Sequence, residues 1–406
     1  MKRHIEREKI RRLAKWANGK PQPPIRIDLE PTFGCNLKCK FCWQRDPYRI
    51  GQTNYTRALK EERLIQLVHE AAELDVVEWQ IAGGWEPMIK PQMAMKLMKL
   101  IKHYGMFGCL TTNGTLFTEA MVKELVEIGW DQILFSLEGD NAKTHDNLTG
   151  IKGSFDKAVQ AMEWFRDWKK KLKKKSPRFS FHTVITNKNY KQLTGLVNLG
   201  RKLEVEGIGF ESLNIWSNEC EKIKLSKKDT KEFIEHVRKA VKLARKYNLP
   251  TTLEKFLDER LIDKEKMDLV IHSDVEEIKN KVNKGKKEVD KVNNLNKKSK
   301  NYKDEFMTTS CYEPFTSLEI RASGHVVECR LCDFQDYAPR LQNKTLKEIW
   351  YGPYFTKMRN KMLKGNLPRY CKTCAAGIVV DMRHLREEML KIKKNPLVKL
   401  KRKILR

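Results

Sequence analysis

The sequence predicts an α/β fold, a partial (β/α)6 barrel of the TIM type followed by a small cysteine-rich domain. Two observations lead to this prediction. Six extended apolar runs alternate with segments of helical periodicity through residues 25–256. Five of the ten cysteines then fall between residues 311 and 374. Repeated strand-helix units favour a parallel sheet with right-handed crossovers, and six such units fit an open barrel.

The six apolar runs mark the strands, because each is rich in apolar residues and bounded by turn residues. In chain order they are "IRIDLEPT", "VVEWQIAGG", "GMFGCLTTNG", "QILFSLEG", "RFSFHTVIT" and "GIGFESLNI". The helices are expected to begin near Leu59, Pro91, Thr118, Phe155, Gln192 and Ser226. In the first of these, apolar residues recur three and four positions apart and acidic residues open the segment, as suits a helix N-terminus.

Composition shifts along the chain predict five segments. They are a basic N-terminal extension (1–24), the barrel (25–256), a charged helical insertion or linker (257–306), the cysteine-rich domain (307–380) and a basic C-terminal tail (381–406). The charged segment has weak helical spacing and many alternating charges, so it is either a poorly packed insertion or a lid over the active site.

The formal net charge of +29 is concentrated in a few places. About half of the excess lies in residues 1–20 and 382–406, and Lys169–Lys175 forms another basic run. Such surfaces attract nucleic acid, lipid headgroups or acidic proteins, although a solvated surface explains them as well. Because the lysine run lies in a helix-to-strand connection, we expect it opposite the loops that follow the strands. This position favours an acidic protein or an anionic membrane over nucleic acid as the partner.

No apolar run suits a signal peptide, and no stretch of about eighteen apolar residues suits a membrane span. Clustered cysteines in such a chain point to metal binding or catalysis in a reducing cytoplasm rather than to disulfides. The C-terminal stretch "NPLVKLKRKILR" is basic and carries leucines, which would suit peripheral contact with an anionic membrane or simply a solvated helix end.

The stretch "PTFGCNLKCKFCWQRD" contains three cysteines within eight residues, directly after the first strand. In parallel βα folds the loops after the strands form the functional face, so Cys35, Cys39 and Cys42 are expected at that face. Three thiolates suit an iron-sulfur cluster with one open corner, whereas a structural zinc site requires four protein ligands.

The pattern CxxxCxxC with an aromatic residue before its last cysteine resembles the radical S-adenosylmethionine (radical SAM) family. The resemblance implies that Cys35, Cys39 and Cys42 hold a [4Fe-4S] cluster whose open iron binds SAM. It also implies that Phe41 lies near the adenine of SAM.

The end of the second strand, "AGGWEP", is similar to the glycine-glycine-glutamate-proline stretch of the same family. By this resemblance Gly83, Gly84, Glu86 and Pro87 approach the amino group of SAM. Close backbone approach is the physical reason for glycine there. Trp85 departs from the family pattern, either as an inserted residue or in place of the third glycine of the variant "GGGEP".

Two further stretches, "TTNGTLF" and "SLEGDNAKTHDNLTG", resemble the subset of the family with additional C-terminal clusters. The resemblance makes Asn113, Ser136 and Glu138 candidates for SAM binding. Ordinary turn chemistry at strand ends is the alternative for each of them. The family often has aspartate in place of Glu138 and arginine in place of Thr149, so the SAM carboxylate is expected to be held differently here.

The second cysteine group contains Cys311, Cys329, Cys332, Cys371 and Cys374. Two cysteine pairs joined through a hairpin at "ASGH" would make a four-sulfur site for zinc or for iron-sulfur. The spacing resembles that of SPASM and twitch domains, which hold auxiliary [4Fe-4S] clusters. No cysteine follows the last pair, which favours the shorter twitch form with one cluster.

The resemblance assigns the auxiliary cluster to four of these residues, namely Cys311, Cys329, Cys371 and Cys374. Cys332 is then an alternative ligand, a thiol near the redox path, or a buried residue. Cys109 lies within a strand and is expected in the core. Cys220 follows the sixth strand, so it is either a hydrogen-atom donor to a substrate radical or a structural residue.

The resemblance implies an oxidoreductase or isomerase that cleaves SAM reductively to a 5′-deoxyadenosyl radical, which abstracts a hydrogen atom from the substrate. The auxiliary cluster would transfer electrons during an oxidation, epimerisation or cross-linking. A reduced ferredoxin or flavodoxin would supply the first electron. The substrate is a small molecule, a lipid or a peptide, and the short segment before the first strand argues against a fused peptide-recognition domain. Two alternatives are an RNA-modifying radical enzyme and a zinc-dependent nucleic-acid-binding protein.

Overall fold

The computed structural model describes residues 2–45, 58–83, 85–215, 217–257, 302–309, 311–329, 338–367, 371 and 385–389. Several positions named above therefore lie outside the described residues. They are Gly84, Cys332, Cys374, residues 258–301 of the charged segment and residues 390–406 of the basic tail.

The described strands are β1 (Arg26–Leu29), β2 (Glu78–Ile81), β3 (Phe107–Thr112), β4 (Gln132–Ser136), β5 (Arg178–Ile185), β6 (Ile208–Ser212), β7 (Ser317–Ile320) and β8 (Val326–Val327). The α-helices are α1 (Lys2–Trp16), α2 (Glu61–Glu73), α3 (Pro91–His103), α4 (Glu119–Glu127), α5 (Ala142–Thr149), α6 (Ser154–Lys171), α7 (Leu193–Lys202), α8 (Asn218–Ile223), α9 (Thr230–Lys246), α10 (Tyr302–Thr308), α11 (Glu313–Thr316), α12 (Leu346–Trp350) and α13 (Pro353–Leu363). Short 3-10 helices lie at Trp43–Arg45, Pro87–Ile89, Tyr190–Gln192 and Leu253–Leu257.

The strands form an open, mostly parallel sheet in the order β6-β5-β4-β3-β2-β1-β7-β8. Strands β3 to β6 pair in parallel, whereas β7 and β8 form an antiparallel hairpin. The first six strands lie in sequence order, which confirms the predicted series of strand-helix units. The chain divides into two compact units: unit 1 contains Met1–Asp28, Gln66–Glu78 and Val275–Arg406, and unit 2 contains Leu29–Ile65 and Trp79–Asp274.

The core of unit 2 lies between one face of the sheet and the helices. Phe135 of β4 and Phe179 of β5 both contact Phe165 of α6, with ring centroids 6.0 and 6.2 Å apart. All three rings are buried, whereas alternate residues of these strands are partly exposed on the other face. This alternation is typical of strands that are covered by helices on one side.

All six predicted strands are present, and five of the six predicted helices begin within two residues of their expected starts. The exception is α9, which begins at Thr230 rather than Ser226. The carboxylate of Asp229 accepts hydrogen bonds from the backbone N and the Oγ of Ser226, at 2.8 and 2.7 Å, and so forms a turn before the helix. The short helices α5 and α8 were not predicted, because they lie within loops and have little apolar periodicity.

Unit 1 contains more regular structure than its composition suggests. Helix α1 lies within the basic segment 1–24, and its residues Leu13 and Trp16 are buried. Arg12 is 3% exposed and donates hydrogen bonds to the carbonyl oxygens of Pro24 and Asp75, at 2.9 and 2.6 Å. One of the basic residues of this helix is therefore a buried arginine with a structural role. The predicted hairpin at "ASGH" is confirmed by β7 and β8, with Gly324 at φ 83° in the turn.

No helix in the described part of the chain is long and apolar enough to cross a membrane. The lysine run Lys169–Lys175 spans the end of α6 and the connection to β5, as predicted. It therefore lies at the amino ends of the parallel strands, at the opposite end of the strands of unit 2 from the loop that follows β1.

Candidate functional site

The first cysteine loop lies in unit 2, immediately after β1. Cys35 is exposed, and Cys39 and Cys42 are partly buried. The Sγ of Cys35 accepts a hydrogen bond from the backbone N of Leu37 at 3.4 Å and from Nδ2 of Asn113 at 3.9 Å. Desolvation raises the pKa of the Cys35 thiol, although these two donors act against that effect. Donors aimed at a sulfur stabilise it in its charged form, which is the form that binds a metal.

The helix that follows β4 anchors this loop. The backbone N–H groups of Lys38 and Lys40 donate to the carbonyl oxygens of Thr149 and Leu148, at 2.8 and 2.9 Å. Gly150 then has φ 72°, and a Cβ added there would lie 2.8 Å from the carbonyl oxygen of Lys38. Glycine is therefore required both for the backbone conformation and for the close approach. The Thr149 hydroxyl bonds within its own helix and to Ser154, rather than toward the loop.

Glu86 is 2% exposed and holds the ends of two segments together. Its Oε1 accepts from the backbone N of Met88 at 2.9 Å and from Oγ1 of Thr112 at 2.7 Å. Its Oε2 accepts from the backbone N of Asn113 at 2.7 Å. Burial raises the pKa of Glu86, and these three donors oppose that effect. Its carboxylate is thus an internal acceptor at the end of β3, and contact with the SAM amino group stays a prediction.

The residues around Glu86 explain part of the "AGGWEP" pattern. Gly83 has φ 141°, and a Cβ added there would lie 2.4 Å from Cγ of Glu30. Trp85 packs edge-to-face on Phe33, with ring centroids 6.4 Å apart. Pro87 begins the short 3-10 helix that Glu86 caps. The glycine is required by backbone geometry, and the unusual Trp85 has an aromatic partner next to the cysteine loop.

Asn113 lies just after β3 and is 8% exposed. Its Oδ1 accepts from the backbone N of Thr115 at 2.9 Å and from the Thr115 hydroxyl at 2.7 Å. Its Nδ2 donates to Oδ1 of Asn36 at 3.0 Å, as well as to Cys35. The side chain of Asn113 therefore forms the turn after β3 and also contacts the cysteine loop.

Ser136 and Glu138 lie at the end of β4. Ser136 is partly exposed and is in register with His182 of β5. Glu138 is 2% exposed, and its Oε2 accepts from the backbone N of Val184 at 2.8 Å. Burial raises the pKa of Glu138 to about 8, so the carboxyl is largely protonated at neutral pH. The backbone N of Glu138 donates to Nδ1 of His145 at 3.0 Å, and burial lowers the pKa of that imidazole to about 4.

The structure places Cys220 in an apolar cluster rather than on an open surface. Cys220 is 0% exposed and packs with Leu148, Leu213 and Ile223, and Phe41 packs against the same cluster. The Cys220 Sγ donates to the carbonyl oxygen of Lys40 at 3.6 Å. This environment favours the structural interpretation of Cys220 over hydrogen donation to a substrate. The same contact braces the cysteine loop from a second side.

The second cysteine group lies in unit 1. Cys311, Cys329 and Cys371 are partly buried, and the Sγ of Cys311 accepts from the backbone N of Glu313 at 3.4 Å. Cys109 lies in β3 of unit 2 and is 8% exposed, as expected of a core residue. No disulfide joins the cysteines that the structure describes.

Within the described ranges, no three side chains of cysteine, histidine, aspartate or glutamate gather as they do around a single bound metal ion. A single zinc ion draws its sulfur ligands to within about 2.3 Å of one centre. A four-iron cluster instead distributes its thiolates over separate irons. The donor set of the first loop fits such a cluster, because it offers three thiols and two N–H donors aimed at one of their sulfurs.

Sequence reasoning missed the residues that hold the candidate site in position. They are Asn36, Thr115, His145, Gly150 and Asn189. Only two of these had a signal in the sequence. "NGT" is typical of a turn in which an asparagine side chain bonds two residues ahead, and the glycine after "DNLT" is typical of a helix C-terminus.

Two family models match the chain. Residues 29–200 match the Radical SAM superfamily, and residues 311–375 match the SPASM iron-sulfur cluster-binding domain. The second match names the SPASM domain where the spacing favoured the twitch form, and it identifies the second cysteine group as an iron-sulfur region rather than a zinc site.

Curated relatives are similar to part of the chain. The AdoMet-dependent heme synthase of Methanosarcina barkeri is 29% identical over 182 residues, which are 44% of this chain and 48% of that protein. The PqqA peptide cyclase of Granulibacter bethesdensis is 27% identical over 146 residues, which are 36% of this chain and 37% of that protein. The chain thus spans less than half the length of these relatives.

Solved structures resemble the chain over a larger part of its length. SuiB of Streptococcus suis has a TM-score of 0.57 at 18% identity, covering 87% of this chain and 72% of that one. The structure of anSMEcpe with bound AdoMet and a peptide has a TM-score of 0.52 at 19% identity, covering 87% of this chain and 86% of that one. At such identities the likeness concerns the fold alone.

The two family models agree with the cysteine loop after β1, the open parallel sheet and the hairpin next to the second cysteine group. Together they imply SAM, a [4Fe-4S] cluster and auxiliary iron-sulfur clusters as cofactors. The chain contains a radical SAM domain at residues 29–200 and a SPASM iron-sulfur domain at residues 311–375.

Proposed function

We propose that the chain is a radical SAM enzyme that abstracts a hydrogen atom from a peptide and completes an oxidation, epimerisation or cross-linking. When bound, the cluster and SAM supply the 5′-deoxyadenosyl radical. The observation that carries the proposal is the loop of Cys35, Cys39 and Cys42, which lies after β1 with the buried acceptor Glu86 and the amide of Asn113 beside it.

In this proposal each group of residues has one task. The three cysteines hold the cluster, and helix α5 fixes their loop through the carbonyl oxygens of Leu148 and Thr149. Gly83 makes room for the side chain of Glu30, since a Cβ there would lie 2.4 Å from Cγ of Glu30, and its backbone is the proposed point of approach to SAM. Ser136 at the carboxyl end of β4 presents a hydroxyl to SAM. Neutral Glu138 adds no negative charge near the SAM carboxylate at pH 7.

The peptide substrate is supported by the names of similar proteins. PqqA peptide cyclases occur repeatedly among the curated relatives, and the similar solved structures include SuiB bound to a precursor peptide and anSMEcpe bound to a peptide. The partly exposed face of β4 to β6 offers polar side chains to such a substrate. His182 and Glu211 lie on this face, and Nε2 of His182 is 3.4 Å from Oε1 of Glu211. Nζ of Lys255 lies 3.1 Å from Oε2 of Glu211.

The auxiliary cluster domain is the proposed route for electrons that leave the substrate. Cys311, Cys329, Cys371 and Cys374 are its proposed ligands, and a reduced ferredoxin or flavodoxin is the proposed source of the first electron. An RNA substrate is less well supported, because part of the lysine run is neutralised by acidic residues of the same unit. Nζ of Lys169 lies 3.7 Å from Oε1 of Glu206, and Lys170 forms an ion pair with Glu204.

The test is anaerobic reconstitution of the full chain with iron and sulfide, alongside a variant in which Cys35, Cys39 and Cys42 are all alanine. We expect the wild type to bind iron and to release 5′-deoxyadenosine from SAM under reduction. The variant should lose about four irons and all SAM cleavage, and should keep the auxiliary iron. Zinc in place of iron in the wild type, or SAM cleavage by the variant, would overturn the proposal.

A further inference from the structure

The orientation of the Asn113 side-chain amide is fixed by its surroundings. Its Oδ1 lies 2.9 Å from the backbone N of Thr115, and a backbone N–H can only donate a hydrogen bond. The oxygen must therefore face Thr115, and the NH2 group must face the other way.

A closed ring of hydrogen bonds holds this orientation. Nδ2 of Asn113 donates to Oδ1 of Asn36 at 3.0 Å. Nδ2 of Asn36 donates to the Thr115 hydroxyl at 2.7 Å, and that hydroxyl donates to Oδ1 of Asn113 at 2.7 Å. Since an NH2 group has two hydrogens, one remains for the Cys35 Sγ, which lies 3.9 Å from Nδ2. The ring directs an N–H toward one sulfur of the cysteine loop.

The backbone of Asn113 is fixed as well. Its N–H donates to Oε2 of Glu86 at 2.7 Å, while the preceding residue, Thr112, donates its hydroxyl to Oε1 of the same carboxylate at 2.7 Å. Glu86 is 2% exposed, so water does not compete for these bonds. Asn113 is held from both its backbone and its side chain.

We propose that Asn113 hydrogen-bonds to the Cys35 sulfur of the SAM-binding cluster and raises its reduction potential, with Glu86 as the positioning residue for Asn113. The inference rests on the proposed function, since it requires the cluster. Reduction adds negative charge that the ligand sulfurs share, and an N–H donor stabilises that charge. The backbone N of Leu37, 3.4 Å from the same sulfur, is a second donor. Cys35 therefore receives two donors.

The competing explanation is that Asn113 serves only the turn after β3. The bond from the Thr115 N–H to Oδ1 is typical of such turns. An aspartate would make this bond equally well, but it would present an oxygen rather than an N–H to the sulfur. Asn113→Asp therefore keeps the turn and removes the donor, at the cost of one added negative charge. Asn113→Leu removes the donor without adding charge.

The experiment measures the midpoint potential of the reconstituted holoenzyme by an EPR-monitored redox titration. The SAM-binding cluster is recognised as the signal that changes when SAM is added. Variants Asn113→Asp, Asn113→Leu and Glu86→Gln are compared with Thr115→Val. The last variant loses a hydroxyl of the same ring but keeps the backbone N–H that orients the amide. Iron content is measured for every variant.

We expect the potential to fall most in Asn113→Asp, less in Asn113→Leu and less again in Glu86→Gln, with the smallest fall in Thr115→Val, because the Thr115 N–H still orients the amide after the ring is opened. A fall in Asn113→Asp without one in Asn113→Leu would show that added charge alone is responsible and would overturn the inference. Equal potentials in all variants would overturn it too. Both results require a wild-type signal that responds to SAM; the absence of that signal would instead refute the proposed function.

Discussion

The two ends of the parallel strands in unit 2 carry polar residues of opposite character. At the carboxyl ends, Glu86 and Glu138 are each 2% exposed, and backbone N–H groups donate to their carboxyl oxygens. At the amino ends, the side chains of Lys170 and Glu204 are 58% and 53% exposed and pair with each other. The first end is buried and hydrogen-bonded, whereas the second is solvated and ionic.

Burial, rather than charge, decides how much a polar group at either end contributes to the stability of the fold. A buried carboxylate that loses its donors, or donors that lose their carboxylate, pay the full cost of desolvation. When an exposed ion pair is broken, water hydrates both charged groups, so little stability is lost. Salt also screens the attraction between the two charges. We therefore expect substitutions at the carboxyl ends to have much larger effects than substitutions in the lysine run.

The largest effect is expected for Glu86→Ala. Three donors would lose their acceptor, at roughly 1–3 kcal/mol each, so the free energy of unfolding should fall by about 3 kcal/mol or more. Urea denaturation followed by circular dichroism measures this change. Glu119→Ala is the matched control, because Glu119 accepts one exposed bond from Trp168. A loss at Glu86 no larger than that at Glu119 would contradict the comparison.

The next largest effect is a pH dependence of the unfolding free energy that arises from Glu138. Its pKa is raised from 4.5 to about 8 by burial, so the folded protein keeps a proton that the unfolded chain releases. This contribution to stability is complete below pH 4.5 and is lost as pH rises through about 8. Glu138→Gln has no such proton and keeps an oxygen for the Val184 N–H.

The measurement for Glu138 is the unfolding free energy of both proteins between pH 5 and pH 8. The stability of Glu138→Gln relative to the wild type should grow with pH, by at most about 1.4 kcal/mol per unit. Burial lowers the pKa of His145 to about 4, which gives the opposite slope, but it does so in both proteins and cancels in the difference. Parallel curves would show that Glu138 is ionised in the folded state.

A smaller loss of stability is expected for Gly150→Ala. Gly153→Ala is the control that measures the cost of backbone strain alone. Gly150 has φ 72° and meets the carbonyl oxygen of Lys38, whereas Gly153 has φ 79° with nothing within 4 Å of an added Cβ. Alanine at Gly153 should cost about 1–2 kcal/mol for the left-handed conformation. Alanine at Gly150 should cost more and should also lower iron incorporation, because it displaces the cysteine loop. Equal effects on stability and iron content would mean that α5 does not anchor the loop.

The smallest effect is expected for Lys170→Ala at the amino ends of the strands. Because both partners are more than half exposed, the free energy of unfolding should change by about 0–1 kcal/mol, and less in high salt. Thermal denaturation at two salt concentrations measures it. A loss above about 2 kcal/mol would place this pair with the buried carboxylates and remove the contrast between the two ends.

Much of the fold was predictable because it depends on local patterns. Alternating apolar runs gave all six strands of the parallel series, and the cysteine spacing located the cluster loop after β1. The candidate site was less predictable. Glu86 was recognised from its motif, but its role as acceptor for Asn113 depends on contact between two residues that are 27 positions apart in the sequence. No periodicity carries that information.

The sequence alone predicted the series of six strand-helix units, the cysteine loop and the radical SAM resemblance, since spacing within a few residues fixes which side chains one loop can present. Tertiary structure decided the rest. It buried Cys220 in an apolar cluster, set Thr149 against Ser154 and turned the amide of Asn113 toward Cys35. The physical reason is that burial and hydrogen-bond direction depend on which segments meet, and a linear pattern does not state that.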